Sequence, residues 1–275
     1  MKRLLILCFI SFSVLVSQAQ RTDSLFVVKA LHGTSADVLS FARQFLGLPY
    51  VAHTLEIHAK GQERLVVNTR EMDCTTLVEN VLALTLCAKN NERSFNDFRK
   101  YLRQLRYRQG VINGYPSRLH YFTDWIEDNT KMGFVHEIQQ DKSPFSALQI
   151  INVGYMSNHP QSYEALKAHP EFINIITAQE KKLNGRRYRY IPKNMVKNTK
   201  LMRKIVHDGD IIAITCSKPG LDIAHLGFAV WHRDGLHMLN ASQIHHRVVE
   251  EPMTLDRYLK KHPKHTGIRI IRLNN

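Results

Sequence analysis

The sequence predicts an α+β fold in which helices come first and an antiparallel sheet follows. Three observations lead there. Apolar residues recur at helical spacing through the first two-thirds of the chain. From Ile211 onward the apolar runs become short, β-rich and punctuated by turn residues such as Arg233-Asp234-Gly235. No internal repeat, low-complexity stretch or linker divides the chain, so residues 20–275 are read as one domain with a helical insertion at about 89–200.

Residues 1–19 have the pattern of an export signal: Lys2 and Arg3, an apolar run from Leu4 to Val16, then Ser17-Gln18-Ala19. The first helix is expected from Ser35, as cap, to Phe45, with Gly47 as the stop. Residues 51–70 read as a loop with short strands, among them the alternating Leu65-Val66-Val67-Asn68. Asp73 is a strong N-cap for a helix from Cys74 to about Ala88, apolar on nearly every side and therefore buried. Ser94 opens another helix toward Leu105, and Ser117 is expected to cap one over Arg118 to Ile126 that stops near Gly133. Val135 to Ile151 gives little beyond some strand; Ser162 to His169 and Pro170 to Leu183 read as two helices. The strands are expected at Ile211–Thr215, Ala224–Trp231, Leu236–Ala241, Arg247–Glu250 and Gly267–Leu273, interrupted by a helix at Leu255–Lys261.

The formal charge is +14, of which Lys2 and Arg3 leave with the leader. Such an excess ordinarily suggests nucleic acid or an anionic surface. Export to the periplasm argues against nucleic acid, and the basic run from Lys181 to Lys200 reads as a solvated face. No apolar run is long enough for stable membrane insertion. Beyond the leader lie Cys74, Cys87 and Cys216, an odd number that argues against a disulfide framework. Cys87 and Cys216 sit in apolar contexts that suit buried thiols, with a bridge between them as the alternative; either leaves Cys74 free. Nothing in the sequence bears on oligomeric state.

Cys74 begins a helix, where the dipole and free N–H groups favour a thiolate and can hold an oxyanion; the plainer alternative is a small buried hydrophobe. A nucleophilic cysteine needs a histidine, and the histidine a polar orienter. Among fifteen histidines, His225 stands out because it begins the strand His225-Leu226-Gly227-Phe228, with Gly227 leaving room beside it. Asn240 on the next strand is the candidate orienter. A two-residue turn at Asp234-Gly235 would set it opposite Ala229, roughly 13 Å from His225 along the strand. A longer loop at His232 to Gly235, or a bulge, must close that gap. The sequence has no His-Glu-x-x-His and no Cys-x-x-Cys, so no metal or other cofactor is expected, and His245-His246 and His262-Pro263-Lys264-His265 read as solvated.

Gly47-Leu48-Pro49-Tyr50, Asp73-Cys74-Thr75-Thr76, His225-Leu226-Gly227-Phe228 and Leu239-Asn240-Ala241-Ser242, in that order, resemble the NlpC-type cell-wall cysteine hydrolases. Thr75-Thr76 in place of Ser-Gly, together with Gly114-Tyr115-Pro116-Ser117-Arg118 and Gly220-Leu221-Asp222-Ile223-Ala224-His225, is similar to their N-acetylmuramoyl-L-alanine amidase-like branch. The resemblance implies a papain-like fold, with the catalytic cysteine at the N-terminus of a buried helix packed on an antiparallel sheet. It implies Cys74 as nucleophile, His225 as base, Asn240 as orienter, and Tyr50 and Thr75 near the oxyanion. The substrate implied is peptidoglycan or its soluble muropeptides, anhydro forms included. Arg118, Tyr115, Tyr121, Glu56 and Asp222 are the candidate substrate-binding residues: Arg118 for a carboxylate or lactyl-sugar oxygens, the tyrosines for sugar stacking, Asp222 with the alternative of shaping the loop before His225. Glu79 is expected to be a buried hydrogen-bond partner. Two alternatives remain, an endopeptidase cutting γ-D-glutamyl bonds and a non-catalytic wall-binding module.

Overall fold

The computed structural model describes residues 21–33, 36–56 and 62–274. The leader at 1–19 and the cap expected at Ser35 lie outside the described residues. Helix α1 (21–31) was not expected from the sequence. Asp23, on α1, accepts hydrogen bonds from the amide (2.9 Å) and hydroxyl (2.7 Å) of Thr69, fastening the helix to the loop before Cys74. Helix α2 (Val38–Arg43) is capped by Asp37, and Gly47 at φ 84° ends the following turn in a conformation glycine adopts without strain.

The centre of the fold is α3 (Cys74–Lys89). Asp73 and Thr76 form a capping box: the Asp73 carboxylate accepts from the Thr76 amide (2.8 Å), and the Thr76 hydroxyl accepts from the Asp73 amide (2.9 Å). Every residue from Thr76 to Ala88 is buried. The helix packs against α2, α4 (Phe95–Arg106) and two strands of the sheet, β5 (Ile223–Trp231) and β6 (Leu236–Ser242). A polar residue so placed needs a partner. Glu79 accepts from Arg106 Nε at 2.6 Å, both side chains 2% exposed, and Arg106 donates also to the Val66 carbonyl. Asn80 donates to the Asn68 carbonyl at 3.1 Å. Residues 62–68 thus spend backbone acceptors on side chains and run as an irregular segment, not the strand expected at Leu65–Asn68.

The helix expected from Ser117 begins later, as α5 (Phe122–Lys131). Ser117 closes a turn instead, accepting from the Asn113 amide and donating to the Gly114 carbonyl. Arg118 is extended and bridges to Tyr107. The segment 89–200, expected to be helical, also carries three strands: β1 (Val135–Ile138), β2 (Ala147–Ile150) and β3 (Arg187–Pro192). It further holds α6 (Tyr155–Asn158), α7 (Glu164–Ala168) and α8 (Glu171–Leu183), the last two where expected. Helix α9 (Lys200–Ile205) follows, unforeseen.

The strands β4 (Ile211–Cys216), β5, β6, β7 (Arg247–Glu250) and β8 (His265–Leu273), with α10 (Leu255–Lys261), match the expected series. The antiparallel sheet runs β2-β3-β8-β4-β5-β6-β7, with β1 also on β8. Helices cover both faces. Ile211 and Ala213 join the core shared with α1 to α5, while Ile212 and Ile214 join a second core under α9 and α10, so an uninterrupted apolar run is satisfied on two sides. A third cluster, containing Tyr121, Met156 and Ile176, holds the α6–α8 lobe together. Among the described residues no helix is long and apolar enough to cross a membrane.

Candidate active site

Cys74, Cys87 and Cys216 are all free thiols; Cys87 is buried as expected, whereas Cys216, expected to be buried, is half-buried like Cys74. The Leu226 amide and the Thr75 hydroxyl donate to the Cys74 sulfur, so the thiol lies against the residue that follows His225. Burial, with the Asp73 carboxylate adding to it, pushes the thiol up to about 12 despite these donors. The resting thiolate expected from the helix dipole is therefore overridden, because desolvating a charge costs more than one helix terminus returns. The Thr76 amide is committed to Asp73, which leaves the Cys74 and Thr75 amides as first-turn donors toward an oxyanion.

His225 Nε2 lies 2.9 Å from Asn240 Oδ1, and Asn240 is 1% exposed. The gap anticipated between them is closed by the loop. Trp231 pairs with Leu236 and Phe228 with Leu239, so four residues, His232 to Gly235, make the turn and Asn240 comes level with Gly227. The close approach depends on Gly227: a Cβ there would lie 2.4 Å from Met238 Cγ and 2.7 Å from the Leu239 carbonyl oxygen. Asn240 Nδ2 donates to the Met238 carbonyl, which fixes the amide orientation with its oxygen toward the histidine. Nε2 is then the protonated nitrogen, and Nδ1, without a hydrogen-bond partner among the described residues, is the basic one. Burial lowers the His225 pKa, opposed by the Asn240 hydrogen bond, so the ring rests neutral. A neutral thiol and a neutral imidazole can react by general-base transfer as the sulfur attacks. Tyr50 packs near the thiol, its hydroxyl pKa raised by burial and by the Cys74 and Asp73 charges.

A cleft of about 440 Å³ opens at the two neighbours of Cys74, Asp73 and Thr75, and runs along α3 to Glu79. Of the residues expected to touch substrate, Glu56, Tyr115 and Arg118 line it. Arg118 is not free for a ligand carboxylate: it is bidentate to Glu63 (3.0 and 2.9 Å), donates to Glu56 (2.6 Å), and its side chain is 8% exposed. Tyr115 has Arg118 over its ring and the His120 ring tilted against it at 4.4 Å between centroids. Tyr121 and Asp222 lie outside the lining. The Tyr121 hydroxyl donates to Glu180 (2.6 Å) and accepts from the Met156 amide, anchoring the α6–α8 lobe. Asp222 accepts from the Thr123 amide (2.6 Å), acting as a distant cap for α5, and from Ile223, so it fastens the strand bearing His225 to that helix. Glu79 has the buried partner expected of it and also reaches the cleft.

The sequence reading missed Glu63, His120 and Tyr163. Glu63 supplies both oxygens to Arg118 and one to the Tyr107 hydroxyl. His120, pushed down to about 3 chiefly by burial and then by the Arg118 charge, bonds the Tyr115 carbonyl oxygen through Nε2. No local pattern marks them, and the two partners of Glu63 (Tyr107 and Arg118) lie 44 and 55 residues away in sequence. His262 and His265, read as solvated, stack on one another at 4.7 Å and against Tyr258.

A crystal structure of an N-acetylmuramoyl-L-alanine amidase from Bacteroides uniformis superposes with a TM-score of 0.81 at 40% identity, covering 88% of this chain and all of that one. A second such amidase structure from the same organism gives 0.80 at 41% identity, over 87% of this chain and 98% of the other. A Legionella pneumophila protein shares the fold at 24% identity and a TM-score of 0.72, over 94% and 97% of the two chains. No curated protein matches the sequence. The N-acetylmuramoyl-L-alanine amidase-like (AmiA-like) family model matches residues 40–268, and the chain belongs to that family.

Proposed function

We propose that this protein is a cysteine amidase of the NlpC-type, papain-like kind that hydrolyses the amide between the muramic lactyl group and L-alanine in peptidoglycan fragments. The observation that carries it is the His225–Asn240 pair at 2.9 Å, which leaves Nδ1 of the histidine free beside the strand residue that holds the Cys74 sulfur. Family membership and the 40% identity to an N-acetylmuramoyl-L-alanine amidase support the choice of bond. In the proposed reaction Cys74 attacks the lactyl carbonyl as His225 accepts its proton. The Cys74 and Thr75 amides stabilise the oxyanion, with Tyr50 nearby. The imidazolium then protonates the alanine nitrogen, the C–N bond breaks, and the stem peptide leaves with a free amine. Water, deprotonated by the same histidine, cleaves the thioester and frees the lactyl carboxylate. The proposal includes export by the leader at 1–19, a single domain over 20–275, and a site in the periplasm.

Digestion of defined muropeptides, read by mass, tests the reading. Free muramic sugar plus a peptide beginning at L-alanine is the expected outcome, absent with Cys74→Ala. A cut inside the stem would instead make it a γ-D-glutamyl endopeptidase. No turnover by the wild type would leave the wall-binding module and refute both enzyme readings.

A further inference from the structure

The proposed reaction leaves the basic run from Lys181 to Lys200, the formal charge of +14 and one edge of the sheet without a role. They meet at the β2–β3 ribbon. Ile191 and Pro192 pair with β8, while Arg187 to Tyr190 pair with β2 alone, which is the outer strand of the sheet. Side chains alternate between the two faces of such a ribbon. One face turns inward: Gln149 donates to the Asp222 carbonyl and accepts from Arg269, and the Arg269 guanidinium lies over the Tyr188 ring. The other face carries Leu148 and Ile150, 47% and 57% exposed, with Arg189 and Arg187 directly across from them.

This outer face is both apolar and cationic. Arg187 has no acidic partner among the described residues, and Arg189 pairs with Asp141, itself 94% exposed. Lys142 stands exposed in the loop that leads into β2. At the opposite end of the ribbon the Ile151 amide donates to the Arg186 carbonyl, which ties β2 to the turn after α8, where Lys181 and Lys182 are exposed in the last helical turn. Lys142, Lys181 and Lys182 also lack an acidic partner among the described residues; Arg186 is held by Glu127. A hydrated polyanion such as the wall polymer would satisfy the guanidinium groups and leave two aliphatic side chains in water. The surface of an anionic phospholipid bilayer offers both contacts: phosphate oxygens that accept from arginine, and an acyl boundary just beneath them for leucine and isoleucine.

We propose that the β2–β3 ribbon docks this protein on an anionic phospholipid surface, with Leu148 and Ile150 set among the headgroups and Arg187 and Arg189 on phosphates. The inference goes beyond the amidase reading and does not depend on it. The test mixes the mature chain with vesicles of phosphatidylglycerol and phosphatidylethanolamine or, separately, of phosphatidylcholine alone, and reads bound protein by flotation. Binding to the anionic vesicles is expected, at least about tenfold weaker binding to phosphatidylcholine, and release from the anionic vesicles at about 0.5 M salt. The double variant Leu148→Thr with Ile150→Thr should weaken anionic binding about tenfold. Threonine suits an exposed strand, so the melting temperature should hold. Arg187→Ser should weaken binding about fivefold, and Lys29→Ser, which removes the same charge from α1, less than about twofold. No binding to anionic vesicles, equal binding to phosphatidylcholine, or indifference to the double threonine variant overturns the proposal. Equal losses for Lys29→Ser and Arg187→Ser would mean net charge alone and overturn it too. So would binding to purified peptidoglycan sacculi with the same dependence on Leu148 and Ile150, which would make the wall polymer the occupant.

Discussion

Asn240→Asp replaces an amide by a carboxylate at the same 2.9 Å from His225 Nε2, in a position 1% exposed. In the native protein burial holds the imidazole below its ordinary range, and the Asn240 hydrogen bond only partly offsets this. A full charge at this distance attracts an imidazolium by about 6 kcal/mol at an effective dielectric constant near 20. Desolvation of the new carboxylate takes back part of that, leaving an upward shift of about 1–3 pH units. The neutral ring is the base, so activity is lost as pH falls through the His225 pKa. The native acid limb of kcat/KM therefore lies below about pH 6.5, and in Asn240→Asp it moves to higher pH by the same 1–3 units. At a pH between the two limbs the variant should lose activity relative to its own alkaline plateau while the native enzyme keeps its own. Measuring kcat/KM for one muropeptide from about pH 4.5 to about pH 9 reads this directly. An acid limb that stays where the native one lies, whatever the overall rate, would show that Asn240 does not touch the working base.

Three further outcomes follow from the same geometry. Arg106→Ala leaves Glu79 buried without its partner and should cost about 3–5 kcal/mol in urea denaturation at neutral pH. The loss should shrink toward about pH 4, where the carboxyl is protonated and cheaper to bury, and a cost under about 1 kcal/mol would contradict the buried pair. Gly227→Ala should destabilise by about 1–3 kcal/mol and, by pushing β6 away from β5, lower kcat/KM more than the melting temperature implies; unchanged turnover would mean the strand approach is not needed. With the thiol pushed up to about 12, iodoacetamide should alkylate Cys74 slowly near pH 7, with a rate still rising at about pH 9. A rate plateau near neutrality would reveal a resting thiolate and refute the neutral pair.

Periodicity and capping chemistry made much of this protein legible before any coordinates. Asp73 and the apolar run after Cys74 determine α3, because a capped helix apolar on all sides has only an interior to occupy. The strands from Ile211 to Leu273 follow in the same way from β-rich runs between turns. The order of Cys74, His225 and Asn240 is legible as a pattern, but the contact between His225 and Asn240 is not. Whether Asn240 reaches His225 depends on a loop of four residues rather than two, and a shift of that size in register moves a side chain by a whole residue pair. Ser117 has the chemistry of a cap, yet its hydroxyl is taken by Gly114, and α5 receives its cap from Asp222, 99 residues away. Thr76, read first as a mark of substrate choice, is occupied by the capping box. Glu63, Arg118 and Tyr163 acquire their meaning only when the chain closes around the cleft. Local preference fixes what a segment does with its neighbours in sequence; which charges pair and which side chains line the cleft are decided by groups that only the fold brings within a few ångströms.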